Sequence, residues 1–204
     1  MQSYPLVAHI RKHGPQGLDN YRTYKPWLRD EFTFRCIYCL EREKWYPNGH
    51  AGFGVDHIKP KVHYAHLECD YENLLYACNR CNSAKGSCEL IDPTQSAMGN
   101  HLVVDAYGKI TSLTTEGKTL IMVLGLDSEM VTATRQQYLR IARLYATFPK
   151  NPDVRQLYLD AFGFPSDLPN LHDLRPKTNS RPHGCEASYF VRAANKDLDL
   201  VYFI

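Results

Sequence analysis

The pattern of hydrophobic and polar positions changes twice along the 204-residue chain. Up to about Arg35, apolar side chains recur near helical spacing and Pro26 suits a first helical turn, so this part predicts a short helix with one apolar face. Packing against a core explains such a face, and an aromatic surface that stacks bases is the alternative. The residues that form this face are Tyr21, Tyr24, Trp27, Leu28 and Phe32.

Between Cys36 and Gly86 the pattern becomes short and broken. Glycine and proline recur there, which predicts short strands and loops rather than long helices. Residues 55–58 and 74–77 have the composition of strands, and the polar run 79–85 suits a short helix that Gly86 ends. This middle part is therefore predicted to fold as two strands followed by a helix.

From about Asp92 onward the pattern predicts a hairpin and then helices. The hairpin lies in HLVVDAYGKITSL, and three helices are expected to follow. Thr115 is predicted to cap the first helix and Asp127 or Ser128 the second, and Asn151 followed by Pro152 is predicted to open the third. Residues 165–185 predict an ordered loop or tether, and the end, SYFVRAANKDLDLVYFI, predicts a docked apolar tail. The first helix should run through Leu120 and Leu124 to Gly125, and the second should have one apolar face formed by Tyr138, Ile141, Leu144 and Tyr145.

Composition adds limits on where the protein acts. Hydrophobic residues make up 44% of the chain, which is enough for a buried core. No run approaches the roughly 20 apolar residues of a membrane span, and the N-terminus lacks the apolar core of a signal peptide, so we expect a cytoplasmic protein outside any membrane. The net charge is only +2, with 12 basic against 11 acidic side chains in each half. Such a charge argues against a protein that coats nucleic acid but allows a local basic cleft.

Four of the seven cysteines form two CxxC pairs. In a reducing compartment such pairs indicate a metal site, and two of them supply the tetrahedral four-sulfur shell of structural zinc. A redox dithiol or a chance coincidence is the alternative. Three other cysteines, Cys69, Cys88 and Cys185, have no such partner and are expected to be small buried or half-buried residues. The predicted zinc ligands are Cys36, Cys39, Cys78 and Cys81.

The segment between the two CxxC pairs is too long for a compact zinc ribbon. It contains DHIKP at Asp56, NLLYAC at Asn73 and CNRCNSAKG across the second pair. Together with the first CxxC, these four motifs in this order resemble the HNH endonucleases of the ββα-metal superfamily, over about residues 21–90. The resemblance implies a mixed α+β fold: a ββα-metal finger held by a four-cysteine zinc, with flanking helices and a mainly helical C-terminal extension.

The resemblance also implies roles for four residues. His57 resembles the histidine that deprotonates water, Asp56 and Asn82 resemble ligands of a catalytic metal ion, and Asn73 resembles the asparagine that braces the histidine loop. Asn82 stands where the family often has histidine, and this common family variant supplies an amide oxygen as the ligand. The residue chemistry agrees: imidazole is a serviceable base near neutral pH, and carboxylate and amide oxygens suit Mg²⁺ or Mn²⁺. Such an ion neutralises charge that develops on the reacting phosphate.

Several basic residues surround these motifs in the sequence. Each can neutralise a phosphate, and each can equally be a solvated surface charge. His63 and His66 are interpreted as loop histidines rather than extra ligands. The candidate nucleic-acid contacts are Lys59, Lys61, Arg80 and Lys85.

The expected reaction is hydrolysis of phosphodiester bonds, in DNA rather than RNA. Short phrases that flank the motifs, among them YKPWLRDEFTFRCIYCLERE and LIDPTQ, are similar to HNH subunits of prokaryotic anti-phage systems of the Septu and retron-associated types, some of which work beside an ATPase. Residues 1–100 are then the nuclease domain and 101–204 a possible partner-binding region. The alternative function is a zinc-stabilised subunit that binds nucleic acid or protein and needs a partner, or does not cleave.

Overall fold

The computed structural model describes residues 4–177 and 183–198. The predicted mixture of helices with small antiparallel sheets is confirmed. Two compact units divide these residues. The first, here called the finger unit, comprises Ile10–Glu89 and the described part of residues 164–199; the second, here called the helical unit, comprises Leu90–Gly163 and the described residues up to His9.

The finger unit begins with a 3₁₀ turn, Tyr21–Tyr24, that runs into helix α1, Lys25–Glu31. Pro26 occupies the first helical turn, where its missing N–H costs nothing. Tyr24, Trp27 and Leu28 are almost completely buried. The apolar face predicted for this segment therefore packs into the core of the unit, with Tyr21 left half-buried at its edge.

A β-hairpin and a helix follow as the sequence predicts. Strand β1, Phe53–His57, pairs antiparallel with β2, Leu74–Cys78, so that Asp56 faces Leu75 and His57 faces Leu74 across the ladder. All five residues of β2 are buried, because α1 and α2 both pack on this hairpin. Helix α2, Asn79–Lys85, starts directly after β2 and ends at Gly86, whose φ of +53° favours glycine.

The helical unit contains the predicted hairpin and three long helices. Strands β3, Leu102–Val104, and β4, Ile110–Ser112, pair antiparallel, and α3, Thr115–Leu124, ends at the left-handed Gly125. Helix α4, Glu129–Thr147, packs on α5, Pro152–Phe162, with the rings of Tyr145 and Tyr158 stacked 4.2 Å apart. Asn151 caps α5 as expected, since its side chain accepts from two backbone N–H groups.

Three details of the sequence interpretation need correction. The residue that caps α3 is Thr114, one position earlier than predicted, and its hydroxyl accepts from Gly117 N. On α4 the fully buried positions are Val131, Arg135 and Leu139, while the predicted face is half-buried or exposed. The Arg135 guanidinium takes an interior place because it donates to the carbonyls of Gly108 and Leu126. Cys88, expected to be at least half-buried, is exposed.

After residue 164 the chain returns to the finger unit. Residues 165–177 form an irregular stretch, and two short helices follow, α6 at His183–Glu186 and α7 at Tyr189–Ala194. Ser188 caps α7, and Tyr189 N donates to the buried Asp30 carboxylate at 2.8 Å. The expected docking of the tail is therefore seen at this helix, and the last predicted tail residues, 199–204, lie outside the described residues.

Candidate active site and zinc centre

The four predicted zinc ligands lie together in the finger unit. Their sulfur atoms are buried and all lie within 4.8 Å of one another, and the sulfurs of Cys39 and Cys78 are 3.7 Å apart. A tetrahedral zinc ion with bonds of about 2.3 Å separates its sulfurs by about 3.8 Å, so the cluster has the dimensions of such a shell. The chemistry and the spacing of Cys36, Cys39, Cys78 and Cys81 therefore fit structural zinc.

Backbone contacts build each half of this cluster. Leu40 N donates to Cys36 O and Ile37 N donates to Tyr76 O, which ties the first CxxC turn to β2. In the second pair, Cys78 precedes α2 and its sulfur accepts from Cys81 N at the first turn of the helix. Burial raises the pKa of the Cys36 thiol well above its ordinary value. A buried group of thiolates needs a cation, which is what zinc supplies.

The carboxylate of Asp56 is buried and held from two sides. Tyr38 Oη donates to Oδ2 at 2.6 Å, and Lys85 Nζ donates to Oδ1 at 3.2 Å and to His57 O at 2.8 Å. Burial raises the pKa of Tyr38 well above its ordinary value, and the Asp56 charge acts in the same direction, so this phenol remains a donor. The Asp56 carboxylate is therefore held in a fixed orientation in a largely dry setting.

The imidazole of His57 is oriented by one hydrogen bond. Its Nε2 lies 3.0 Å from the Glu68 carbonyl, which can only accept, so Nε2 donates and the neutral ring keeps its lone pair on Nδ1. Burial is the main cause that holds the pKa of His57 below its ordinary value, and the Lys61 ammonium acts in the same direction. The ring is thus neutral and able to accept a proton at neutral pH.

Asn73 cross-links the ends of the loop that follows His57. Its Oδ1 accepts from Lys59 N at 2.8 Å, and its Nδ2 donates to the carbonyls of Lys59 and Leu67 at 3.1 and 3.2 Å. Leu67 directly precedes Glu68, whose carbonyl orients His57. Asn73 therefore fixes the backbone that fixes the imidazole, an arrangement that fits the bracing role predicted for it.

Asp56, His57 and Asn82 line a single open cleft of about 280 Å³. Asn82 lies in the middle of α2, and its Nδ2 donates to Val55 O at 3.2 Å. This bond uses the amide nitrogen, the atom that cannot bind a cation, and orients the side chain beside β1. Two oxygen-bearing side chains and one imidazole, which come from the DHIKP and CNRCNSAKG motifs, thus line the same cleft.

The structure separates the four basic candidates. Lys61 lines the cleft and pairs with Glu68 at 2.9 Å, and Lys59 pairs with Glu89; both lysines are about half exposed. Arg80 is half-buried, with Nη2 3.4 Å from the Cys81 sulfur. Lys85 lines the cleft too but is only 1% exposed and contacts Asp56. Contact with phosphate stays a prediction for each of them.

Sequence reasoning missed three contributors to the site. Tyr38 lies between the two cysteines of the first CxxC pair, and the motif indicates a role only for the cysteines. The Glu68 carbonyl is a backbone group, for which the side chains carry no signal. Tyr21, from the N-terminal segment, lines the cleft and contacts the His57 ring. Tyr38 lies within the CIYC motif and Tyr21 within the predicted N-terminal apolar face, but neither pattern predicts a contact with Asp56 or His57.

Comparison with known proteins agrees with this geometry. Residues 36–87 match the family model described as HNH endonuclease. The resemblance to HNH endonucleases is therefore confirmed for the segment from the first zinc ligand to the end of α2. The chain is also 33% identical over 101 residues to the Septu protein PtuB of Bacillus thuringiensis. That match includes 46% of this chain and 37% of the Bacillus protein.

In the part of the chain that the structure describes, every helix is too short or too polar to cross a membrane.

Proposed function

We propose that this protein is an HNH endonuclease that hydrolyses phosphodiester bonds in DNA, with His57 as its general base. The observation that supports this most directly is the hydrogen bond from His57 Nε2 to the Glu68 carbonyl. It leaves Nδ1 as the basic atom of a ring that lines the cleft. A neutral imidazole whose ring is oriented by one fixed acceptor is suited to take a proton from an attacking water.

Asp56 and Asn82 would hold the catalytic cation. Their carboxylate and amide oxygens are hard ligands of the kind that Mg²⁺ and Mn²⁺ prefer, and two protein ligands leave positions for water and phosphate. When bound, such an ion supplies positive charge to the reacting phosphate. The part played by Tyr38 and Lys85 is to hold the Asp56 carboxylate in place from both sides.

Lys59 and Lys61 are proposed to contact the DNA backbone. Both are half exposed, and Lys61 lies in the wall of the cleft. Their carboxylate partners, Glu89 and Glu68, are also exposed, so a phosphate can replace either one at little cost. The surrounding charge is weak, which means that most of the DNA affinity has to come from these local contacts or from a partner.

We infer a role in anti-phage defence from the similarity to the Septu protein PtuB. The matched segment covers only 37% of that protein, so the defence role and an ATPase partner are proposals for this chain. The helical unit, with the C-terminal residues, is the proposed partner-binding region. The proposed compartment is the cytoplasm, where phage DNA is exposed to the enzyme.

The first test compares purified wild type with His57→Ala on supercoiled plasmid and on RNA, with Mg²⁺ or Mn²⁺. We expect metal-dependent cutting of plasmid, and a loss of roughly 10²- to 10⁴-fold in His57→Ala, because that is the usual contribution of a general base. His172→Ala makes the same change at an exposed position of the finger unit and should cut like wild type.

A folded, zinc-loaded wild type that leaves plasmid intact would contradict nuclease activity of the chain alone. Adding the candidate ATPase then separates the alternatives. Cutting that appears with the partner indicates a partner-activated nuclease, and DNA binding without cutting indicates a binding module. Preferential cutting of RNA would overturn the proposed substrate while leaving the reaction in place.

A further inference from the structure

An aromatic side chain from outside the HNH segment packs on the proposed general base. Tyr21 belongs to the 3₁₀ turn before α1, whereas the family match begins at residue 36. Its ring and the His57 imidazole have centroids 4.8 Å apart and planes inclined at 64°, the edge-to-face arrangement that aromatic pairs favour. Both rings line the same cleft.

The backbone at Tyr21 is firmly placed. Asn20 caps the turn, since its side chain accepts from Arg22 N and its carbonyl accepts from Thr23 N, both at 3.0 Å. The turn ends at the buried Tyr24 and continues into α1, which is anchored in the core by Trp27 and Leu28. A ring carried on such a support forms a rigid wall rather than a mobile cover.

The loop that follows His57 contacts both rings. Lys61 Nζ lies 4.6 Å from the centre of the Tyr21 ring and 2.9 Å from the Glu68 carboxylate, while the Glu68 carbonyl accepts from His57 Nε2. The imidazole is thus held at one nitrogen by the loop and along its flank by Tyr21. One hydrogen bond alone would leave the ring free to tilt about the bond.

We propose that Tyr21 is a positioning residue that keeps His57 in the orientation needed for proton transfer, an inference that rests on the proposed function of His57. The ring is assigned this role because it is the ring that contacts His57, whereas the hydroxyl interacts with Lys61. If the base is displaced slightly from the position needed for proton transfer, the reaction slows while substrate binding is unchanged. Tyr21 thereby links the N-terminal segment to the chemistry of the finger.

The test measures kcat and KM of the full chain for Tyr21→Phe and Tyr21→Leu. Tyr21→Phe keeps the ring and should stay within about twofold of wild type. Tyr21→Leu should lose roughly 10- to 100-fold in kcat with KM nearly unchanged. Tyr107→Leu makes the same change at a side chain that is 75% exposed in the helical unit, and should match wild type.

Three kinetic results would overturn the proposal. An unchanged kcat in Tyr21→Leu would mean that His57 needs no support from this ring. An equal loss in Tyr21→Phe and Tyr21→Leu would assign the effect to the hydroxyl. A rise in KM alone would identify Tyr21 as a surface that stacks bases, the alternative reading of the N-terminal aromatics.

A second readout does not depend on cleavage. Nitrogen-15 NMR distinguishes the two neutral tautomers of a histidine, and the His57 signals are identified by their loss in His57→Ala. Wild type should show the Nε2–H tautomer, and Tyr21→Leu should show a mixture, whether or not the protein cuts DNA. Zinc content and thermal unfolding check each variant, and Tyr21→Met replaces Tyr21→Leu if the latter loses zinc. An unaltered tautomer in Tyr21→Leu, or in Tyr21→Met where that variant replaces it, would refute the positioning role even if His57 proves to be the general base of a nuclease.

Discussion

At the scale of single residues, the burial of Lys85 changes the role that its charge can play. The sequence places it one helical turn after Asn82, where a phosphate contact is plausible chemistry. In the structure its side chain is 1% exposed, and its ammonium lies against the Asp56 carboxylate and the His57 carbonyl. A charge in this position balances another buried charge and holds two backbone segments together.

Removing that ammonium should therefore destabilise the finger unit. In Lys85→Met we expect the free energy of unfolding to fall by about 3–5 kcal/mol, because the Asp56 carboxylate is left buried without its cation. Urea unfolding of zinc-loaded protein without added magnesium measures this. Lys118→Met, at an exposed position of α3, should change stability by less than about 0.5 kcal/mol.

The double variant Asp56→Asn with Lys85→Met separates the stability contributed by the Asp56–Lys85 ion pair from the stability lost through packing. Its destabilisation should be smaller than the sum of the two single changes, because each single change leaves the other charge unpaired. Strict additivity would mean that the two side chains are independent, and would remove the argument that Lys85 holds Asp56.

At the scale of elements, the first CxxC pair and strand β1 are directly connected. The residue between Cys36 and Cys39 that reaches the site is Tyr38, whose hydroxyl lies 2.6 Å from Asp56 on β1. The second pair joins β2 to α2, the helix that carries Asn82. A zinc ion in the four-cysteine cluster would therefore fix the relative positions of β1 and α2, the two elements that carry the proposed metal ligands.

Loss of zinc should unfold the finger unit rather than only inactivate it. Structural zinc supplies an apparent 10–16 kcal/mol, about as much as the whole stability of a typical domain. We expect Cys39→Ser to bind less zinc and to lose the cooperative thermal transition of this unit, with no recovery on adding magnesium. Cys88→Ser, at an exposed cysteine outside the cluster, should keep both the zinc and the transition.

A zinc-depleted protein that keeps its transition and its circular dichroism would contradict this structural role. Cutting that survives full depletion would show that the β1–β2–α2 finger holds its shape by packing alone. The comparison is informative because the four sulfurs are buried together, so that any ion they bind is enclosed by the fold.

At the scale of the whole molecule, the chain contains more than the HNH segment. The helical unit has its own hairpin, three helices and core, and the described part of residues 164–199 belongs to the finger unit. Large apolar side chains of the helical unit remain in solvent, among them Met122 at 73% and Met130 at 80% exposure. Such residues are candidates for contact with a partner.

The defence proposal predicts different effects for the two units. In cells that carry the gene with its neighbours, wild type should reduce phage plating and His57→Ala should not. Met130→Glu should lose protection while the purified protein keeps its basal cutting activity, because the change lies at an exposed position of α4 in the helical unit. Gln137→Glu adds the same charge at an exposed polar position of α4 and should protect like wild type.

Equal protection by wild type and Met130→Glu would remove this side chain from the partner surface. Plating that is unaffected by the wild-type system would overturn the defence role itself, without bearing on plasmid cutting by the purified protein.

The sequence alone determined the local elements and the identity of the chemical groups. The CxxC pairs, the DHI and NLL motifs and the glycine after α2 have fixed spacings, and short-range geometry turns these spacings into turns, strands and a capped helix. Tertiary structure decided which groups meet: Tyr21 with His57, Tyr38 with Asp56, and Lys85 with the same carboxylate. These contacts join distant parts of the chain, and burial and charge pairing, which depend on the folded environment, set their roles.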